Sequence, residues 1–376
     1  LSEEHRMIRE AARDFAQTEL RPGVIERDTI QEFPDNLVKK MGALGFMGIM
    51  VDPKYGGSGM DTISYVLIME ELSKVDASAS VIVSVNNSLV CYGIEAYGSE
   101  AQKEKYLPKL ATGEHIGAFC LSEPEAGSDA TSQQTTAIDK GDHYLINGTK
   151  NWITNGGRSD VYIVIAQTDR SKGSKGINAF IIEKGMPGFE IGPKEDKLGI
   201  RGSDTHTLQF NDVKVPVENR IGVDGFGFKF AMKTLSGGRI GIASQALGIA
   251  SGAYELALAY SKQRKAFGTE ICNHQAIAFK LADMATDIEA AELLTHQAAD
   301  MKNKGQKMTK ESAIAKYKAS EVCVAVSNEA VQIFGGYGYT KEFPVEKFYR
   351  DSKLCTIGEG TSEIQKLVIS RDILKS

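Results

Sequence analysis

Hydrophobic positions recur at helical spacing at both ends of the chain and at strand spacing in its middle. Met7, Ile8, Ala11, Ala12 and Phe15 fall on one face of a helix that starts behind Ser2 and an acidic first turn. Pro34 opens a second helix through Leu37, Met41 and Leu44, and a glycine loop, Tyr55-Gly56-Gly57-Ser58-Gly59, follows it. Helical patterns continue over 62–75, 78–92 and 99–110. Near Glu114 the period changes. Strands are expected at 116–121, 161–166, 177–182 and 205–210, the last run ending near Val213-Lys214-Val215-Pro216. Tyr144 to Ile153 reads as a hairpin turning at Asn147-Gly148. From Phe226 the helical period returns in long runs, 226–264, 273–302 and 309–334, lengths that suit a bundle. The pattern predicts a helical N-terminal domain over 1–113, a compact β domain over 114–225 and a helical bundle over 226–376.

Composition narrows the partners. The 376 residues are 42% hydrophobic and 25% charged, ordinary for a globular protein, and a net charge of −5 argues against nucleic acid. The apolar runs are short and interrupted, so no membrane span is expected, and no basic-then-apolar leader begins the chain. The chain starts at Leu1, which leaves open a removed leader or a trimmed start. Cys91, Cys120, Cys272, Cys323 and Cys355 are odd in number and widely spaced, which reads as reduced thiols in a cytosol-like compartment. They share no ligand spacing with the six histidines, and no metal is expected.

Six stretches carry candidate chemistry, and each also has a plain reading. Ile357-Gly358-Glu359-Gly360-Thr361-Ser362-Glu363-Ile364 puts a carboxylate between two glycines at the mouth of a helix that Thr361 or Ser362 caps. Glu359 there is a surface acid or a positioned general base on a flexible corner. Cys120 to Asp129 leaves the first strand with small residues and hydroxyls: an ordinary turn, or a loop offering N–H and Oγ groups to a ligand. Trp152, the only tryptophan, is core or the wall of a flat cofactor, with Thr154 bonding its edge. Ser236-Gly237-Gly238-Arg239 places glycines inside a helix at roughly 1 kcal/mol each, so something packs closely there, and Arg239 pairs with a ligand anion or an internal acid. Arg264 and Lys265 end one helix, and Gln332-Ile333-Phe334-Gly335-Gly336-Tyr337-Gly338-Tyr339 ends another; dipole and C-cap explain both, as does backbone approach to a phosphate.

Together these stretches resemble the acyl-CoA dehydrogenase family, most closely its short-chain, butyryl-CoA-like members. The likeness spans essentially the whole chain. It is carried by Cys120 to Asp129, by Gln332 to Asp351 with Glu342, Lys347 and Asp351, and by the Glu359-Gly360-Thr361 that follows. The resemblance implies an α+β multidomain fold: a helical N-terminal domain, a central β-barrel-like domain and a C-terminal four-helix bundle, assembled as a homotetramer. It implies FAD between the β domain and the bundle. Phe119, Leu121, Ser122, Trp152, Ile153 and Thr154 would line the flavin. Arg264, Gln275, Gln332, Gly335 and Gly336 would hold the dinucleotide across a subunit interface, with Thr361 and Glu363 completing the site. Ser128 and Arg239 match CoA contacts, Gly360 the thioester end and Glu359 the catalytic base. Two departures stand out: Gly358 where most short- and medium-chain relatives carry tyrosine, and Ser236 where many carry aspartate. Some relatives keep their base at the position of Gly238; glycine cannot serve, which leaves Glu359.

The implied reaction removes the α-proton of a short acyl-CoA to Glu359 and the β-hydride to flavin N5, giving a trans-2-enoyl-CoA, with electrons passing to an electron-transfer flavoprotein. The expected location is bacterial cytoplasm, or the mitochondrial matrix if a transit peptide was removed. Three other readings share parts of this pattern: an oxygen-using acyl-CoA oxidase, which is usually much longer; a non-catalytic family member acting as an assembly partner; and a helical scaffold without cofactor.

Overall fold

A computed structural model describes residues 1–375. The N-terminal helices are α1 (Glu3–Phe15), α2 (Val24–Ile30), α3 (Asp35–Ala43), α4 (Thr62–Ser73), α5 (Ala77–Ser84), α6 (Tyr92–Tyr97) and α7 (Glu100–Ala111). Ser2 caps α1, its Oγ accepting the His5 N–H at 3.1 Å. Between α5 and α6 the chain widens into a π turn, Val85–Cys91, without leaving the helix. Among the described residues, this Ala77–Tyr97 run is long and apolar enough to cross a membrane, but its apolar window is 94% buried inside the protein. It is a core helix. The short α2 escaped the sequence pattern, being about two turns between left-handed Gly23 and Gln31.

The β strands are β1 (Gly117–Cys120), β2 (Thr136–Asp139), β3 (His143–Thr154), β4 (Val161–Gln167), β5 (Ile177–Glu183), β6 (Phe189–Lys194) and β7 (Thr205–Pro216). They form one sheet ordered β1-β4-β2-β3-β7-β6, with β5 also on β4. Alternation along β4 sorts its side chains. Tyr162, Val164 and Ala166 join Ile146, Phe180, Leu208, Phe210 and Val215 in a core that the sheet curls around, whereas Val161, Ile163 and Ile165 pack with the helices. Buried on both faces, β4 reads as a continuous apolar run rather than an alternating one.

The expected hairpin is not present. Residues 143–154 make one strand, paired with β2 on one side and β7 on the other. Asn147-Gly148 is an irregularity within it, where the β7 register shifts. Gly148 has φ +145°, and a Cβ there would meet Thr135 at 2.5–2.8 Å; the Asn147 side chain bridges to Asp212 at 2.9 Å. The Asn-Gly pair marks close backbone approach, not chain reversal.

The C-terminal helices are α8 (Gly227–Ser261), α9 (Gln275–Asn303), α10 (Thr309–Phe334), α11 (Val345–Cys355) and α12 (Ser362–Ile373), with a small hairpin, β8 (Lys265–Ala266) and β9 (Thr269–Glu270), after α8. Small residues let α8 lie against the N-terminal helices. A Cβ at Gly248 would strike the Glu70 carbonyl of α4, and at Gly252 the Lys74 carbonyl.

The signature residues Lys347 and Asp351 do not approach any open site. Lys347 Nζ bonds Asp351 at 2.6 Å and Asp76 at 3.3 Å, and Asp351 accepts the Ile200 N–H from the loop before β7 at 2.5 Å. Arg350 adds Asp28 of α2 at 2.7 Å. This buried network ties α11 to the N-terminal helices and to the sheet at once. Burial raises the Asp351 carboxyl although Lys347 opposes it. Loss of one partner would strand a buried charge, at about 3–5 kcal/mol.

Candidate active site

The stretch between α11 and α12 is a tight corner. Glu359 has φ +52° and Gly360 φ +92°. The left-handed region costs a non-glycine residue roughly 1–2 kcal/mol, so neighbours must hold it. Lys316 Nζ of α10 donates to the Gly360 carbonyl at 2.7 Å, and Gln365 Nε2 of α12 donates to the same oxygen at 2.9 Å and to the Glu359 carbonyl at 3.3 Å. The Ser362 N–H closes the turn on the Thr356 carbonyl at 3.0 Å. Thr361 caps α12, its Oγ1 accepting the Ile364 N–H at 3.3 Å. The flexible corner expected from the glycines is a clamped one. Among the described residues, no acceptor takes the Glu359 N–H.

The Glu359 side chain points inward. Its Oε2 is buried, with no hydrogen-bond partner among the described residues. It rests on Gly238 of α8, where a Cβ would overlap it and would meet Leu89 Cδ2 at 2.8 Å. The helix glycine is explained by that carboxylate. Burial pushes the Glu359 carboxyl up to about 7 against the opposing charges of Lys316 and Arg239. Arg239, 6% exposed, leaves Nε and Nη1 without partners; burial lowers its pKa, with Glu359 opposing. A carboxylate and a guanidinium, both buried and both under-bonded, define a place built for something else to bind.

The loop after β1 is anchored from beneath. Lys150 of β3, fully buried, donates to Glu123 at 2.7 Å, Gln133 at 2.5 Å and the Leu121 carbonyl at 3.1 Å. Burial lowers the Lys150 pKa to about 8 although Glu123 opposes. Leu121 and Ser122 are half-buried; Ser128 is exposed. Trp152 is not core: it is 63% exposed at φ +61°, on a bulge where the β3–β7 register shifts again. Thr154 beside it is half-buried. Ile153 turns its side chain into the sheet core, leaving only backbone for a ligand. Phe119 packs on Phe230 of α8, ring centroids 6.3 Å apart, and Gly238 follows Phe230 by eight residues, about 12 Å along the helix.

The remaining predicted residues lie elsewhere. Arg264, Gln275, Gln332, Gly335 and Gly336 are exposed where α8 and α10 end and α9 begins. Arg264 sits over the Tyr337 ring at 5.8 Å, Tyr260 stacks on Phe334 at 4.1 Å, and a Cβ at Gly335 or Gly336 would meet nothing within 4 Å. Gly238 and Ser261 are 261 − 238 = 23 residues apart on α8, roughly 35 Å. One chain therefore unites Glu359, Gly360, Thr361 and Arg239, with Glu363 exposed at the start of α12, and sets the Arg264 group at the far end of its bundle.

Sequence reasoning missed Lys150, Lys316 and Gln365. Lys316 was findable, as a lysine on the apolar face of α10 between Ala313, Ala315 and Ala319. It also missed Lys302, which borders a cavity of about 260 Å³ with Met50, Met60, Tyr92 and Glu95; burial lowers its pKa to about 8. Glu70, Glu292 and His296 cluster closely enough for a metal, but the Arg9 guanidinium already holds Glu70 at 3.1 Å and Glu292 at 3.2 Å.

Comparison with known proteins agrees with this architecture. Three family domains match in order: Acyl-CoA dehydrogenase, N-terminal domain, at residues 2–114; middle domain at 118–213; C-terminal domain at 225–374. The chain is 52% identical over 375 residues to a short-chain specific acyl-CoA dehydrogenase of Clostridium acetobutylicum, covering 100% of this chain and 99% of that one. Butyryl-CoA dehydrogenase of Megasphaera elsdenii superposes with a TM-score of 0.98 at 50% identity, covering 100% and 99%. A chain from a structure of the electron transferring flavoprotein of Acidaminococcus fermentans superposes at 0.99 and 50%, with the same coverage. A glutaryl-CoA dehydrogenase of Mycobacterium smegmatis in complex with FADH2 superposes at 0.95 and 32%, covering 100% and 96%. With all three domains matched in sequence order, this chain belongs to the acyl-CoA dehydrogenase family and is an oxidoreductase of that class.

Proposed function

We propose that this protein dehydrogenates short straight acyl-CoA thioesters between the α and β carbons, with Glu359 as the base. The observation that carries the reading is the buried Glu359 Oε2, unpartnered against Gly238 and poised near neutrality. A general base works best with a pKa near the operating pH. An α C–H beside a thioester is weakly acidic, and its removal requires fixed donors on the carbonyl oxygen, where charge develops. The Glu359 N–H, which no acceptor among the described residues takes, is such a donor at the same residue as the base. Lys316 and Gln365 keep base and donor in register by fixing the corner. Arg239 offers its open guanidinium face to an anionic part of the substrate, and Ser128 offers a hydroxyl from the loop after β1.

The family uses FAD, and the residues here fit it. Among the described residues, the exposed indole on its left-handed bulge has no partner, and Gly335-Gly336 leaves an open backbone cradle. Trp152, Thr154, Phe119, Leu121, Ser122 and the Ile153 backbone would hold the flavin ring. Arg264, Gln275, Gln332, Gly335 and Gly336 would hold the dinucleotide of a neighbouring copy, because α8 sets them too far from their own Glu359. Thr361 and Glu363 stand at the corner's edge. When bound, FAD supplies the hydride acceptor. The assembly this requires is at least a dimer, and the homotetramer of the family provides it. An electron-transfer flavoprotein is the proposed acceptor, supported by the relative from Acidaminococcus fermentans.

Anaerobic mixing of the FAD-loaded protein with acetyl-, butyryl-, hexanoyl- and octanoyl-CoA tests cofactor, reaction and chain length together. Bleaching of the flavin fastest with butyryl- or hexanoyl-CoA, with enoyl-CoA as product, is the expected result. Absence of bleaching with every thioester overturns the proposal.

A further inference from the structure

We propose that Lys316 is a positioning residue for Glu359, clamping the corner and keeping a fixed positive charge beside the carboxylate. This rests on the reading of Glu359 as the base.

Lys316 is fully buried, and its hydrogen bond runs to a carbonyl, that of Gly360, not to an acid. Among the described residues, no carboxylate lies within ion-pair distance of it. A buried ammonium without a carboxylate partner is costly and is retained where its charge serves another group. The groups in its electrostatic reach are Cys355, Glu359, Arg239 and Glu321. Glu321 is exposed and accepts from Ser362 Oγ at 2.6 Å, and Cys355 is a buried free thiol, not a carboxylate. Glu359 remains as the buried acid that the ammonium faces.

The surroundings of Glu359 come from every element packed on it. α8 contributes Arg239, α10 contributes Lys316, and α4 contributes the Tyr65 phenol, which is bonded to Ser84 at 3.0 Å; the π turn contributes the apolar Leu89. Two cations therefore oppose the burial of this carboxylate. They differ in what else they do. Arg239 has open donors, so an anionic ligand shares its charge. Lys316 is closed off from solvent and ligand, so its charge stays with Glu359 when the site fills.

The sign follows. Burial lowers the Lys316 pKa to about 8 and raises that of Glu359 to about 7, so both are charged between those values. Removing the ammonium raises Glu359 further, and a base protonated at pH 7 cannot accept a proton.

The test uses the FAD-loaded protein. Anaerobic flavin reduction by butyryl-CoA gives kcat/KM from about pH 5.5 to about 9.5, and the carboxyl infrared band that Glu359→Gln abolishes reports ionisation directly. Lys316→Met is expected to move both the acid limb and the infrared titration up by about one pH unit, a roughly tenfold loss at pH 6.5 that recovers by pH 9. Lys316→Arg is expected to keep both near wild type. Gln365→Met, which drops a clamp but no charge, is expected to slow the reaction at every pH without moving the limb. If Lys316→Met does not fold, Lys316→Gln reads the same limb, since its amide keeps a donor without the charge. Lower stability or FAD content with an unmoved limb and infrared titration overturns the inference. Wild-type flavin reduction by Glu359→Gln overturns the underlying reading instead.

Discussion

The two ends of α8 teach different things about how a site is made. Around Gly238 the functional groups are buried, under-bonded and locked by their own chain: Glu359 on a clamped left-handed corner, Arg239 with open nitrogens, Lys316 beneath. Around Ser261 they are exposed and open: Arg264 over Tyr337, Phe267 at 97% and Tyr339 at 90% exposure, and a glycine pair with nothing near. The first end is preorganised within one subunit, where burial alone tunes the chemistry. In the proposed assembly the second end is half of a site, and its exposed large apolar side chains are what a neighbouring copy would cover.

The sharpest way to break this contrast is to remove the base. Glu359→Gln keeps size and hydrogen bonding and is expected to retain FAD and acyl-CoA binding while losing at least ~10²-fold in turnover. Stopped-flow flavin reduction by butyryl-CoA reads it, and a near-wild-type rate removes Glu359 from the mechanism. At the other end, Arg264→Ala is expected to leave the chemical step intact but weaken FAD retention by about ten- to a hundredfold, the scale of one charge-assisted contact, and to loosen the oligomer with it. Dilution followed by flavin fluorescence and sedimentation measures both. FAD that stays bound would mean the two ends do not share a cofactor across an interface.

The pH profile sharpens the buried end further. With Glu359 raised to about 7, the base is protonated below that pH. The wild-type kcat/KM for flavin reduction is therefore expected to fall about tenfold per pH unit below 7 and to level off above it. A limb near the ordinary carboxylate value would show that the bound-ready site is wetter than its geometry. The smallest effect concerns Gly358. The nearest atoms to a Cβ there belong to Leu354, at 3.5–3.7 Å, ordinary contact distance, so a side chain is admitted. Gly358→Tyr is expected to depress kcat/KM for isobutyryl- or 2-methylbutyryl-CoA more than for butyryl-CoA, by about 1–3 kcal/mol of discrimination. Equal losses, or a wild type that ignores α-branched chains, would place the space left by the missing ring outside the acyl pocket.

Much was legible in the sequence because its signals were periodic or covalently local. Helical spacing marked α10 at Thr309–Phe334 and the run behind Ser2, the Thr361 cap was visible as a residue type, and a carboxylate between two glycines marked Glu359 as either a surface acid or a base before any fold. What the sequence misjudged or left open depended on neighbours far along the chain. Asn147-Gly148 resembles a turn until β2 and β7 are seen to flank it. Trp152 on residue type alone is either core or the wall of a flat cofactor, and only the bulge shows that it turns outward. Lys347 and Asp351 stand in the sequence only as part of a signature stretch, and the fold gives them their partners, Asp76 and Ile200.

Sequence by itself determined the residue types, the periods and the order of the three parts, since these depend on contacts within a few turns or strands. Only the tertiary structure decided that Glu359 meets Gly238, that Lys316 lies under Gly360, and that Arg264 is too distant to serve the same site within one chain. The reason is physical: pKa, strain relief and reach depend on burial and distance, and both are set by how helices separated by a hundred residues pack, not by local pattern.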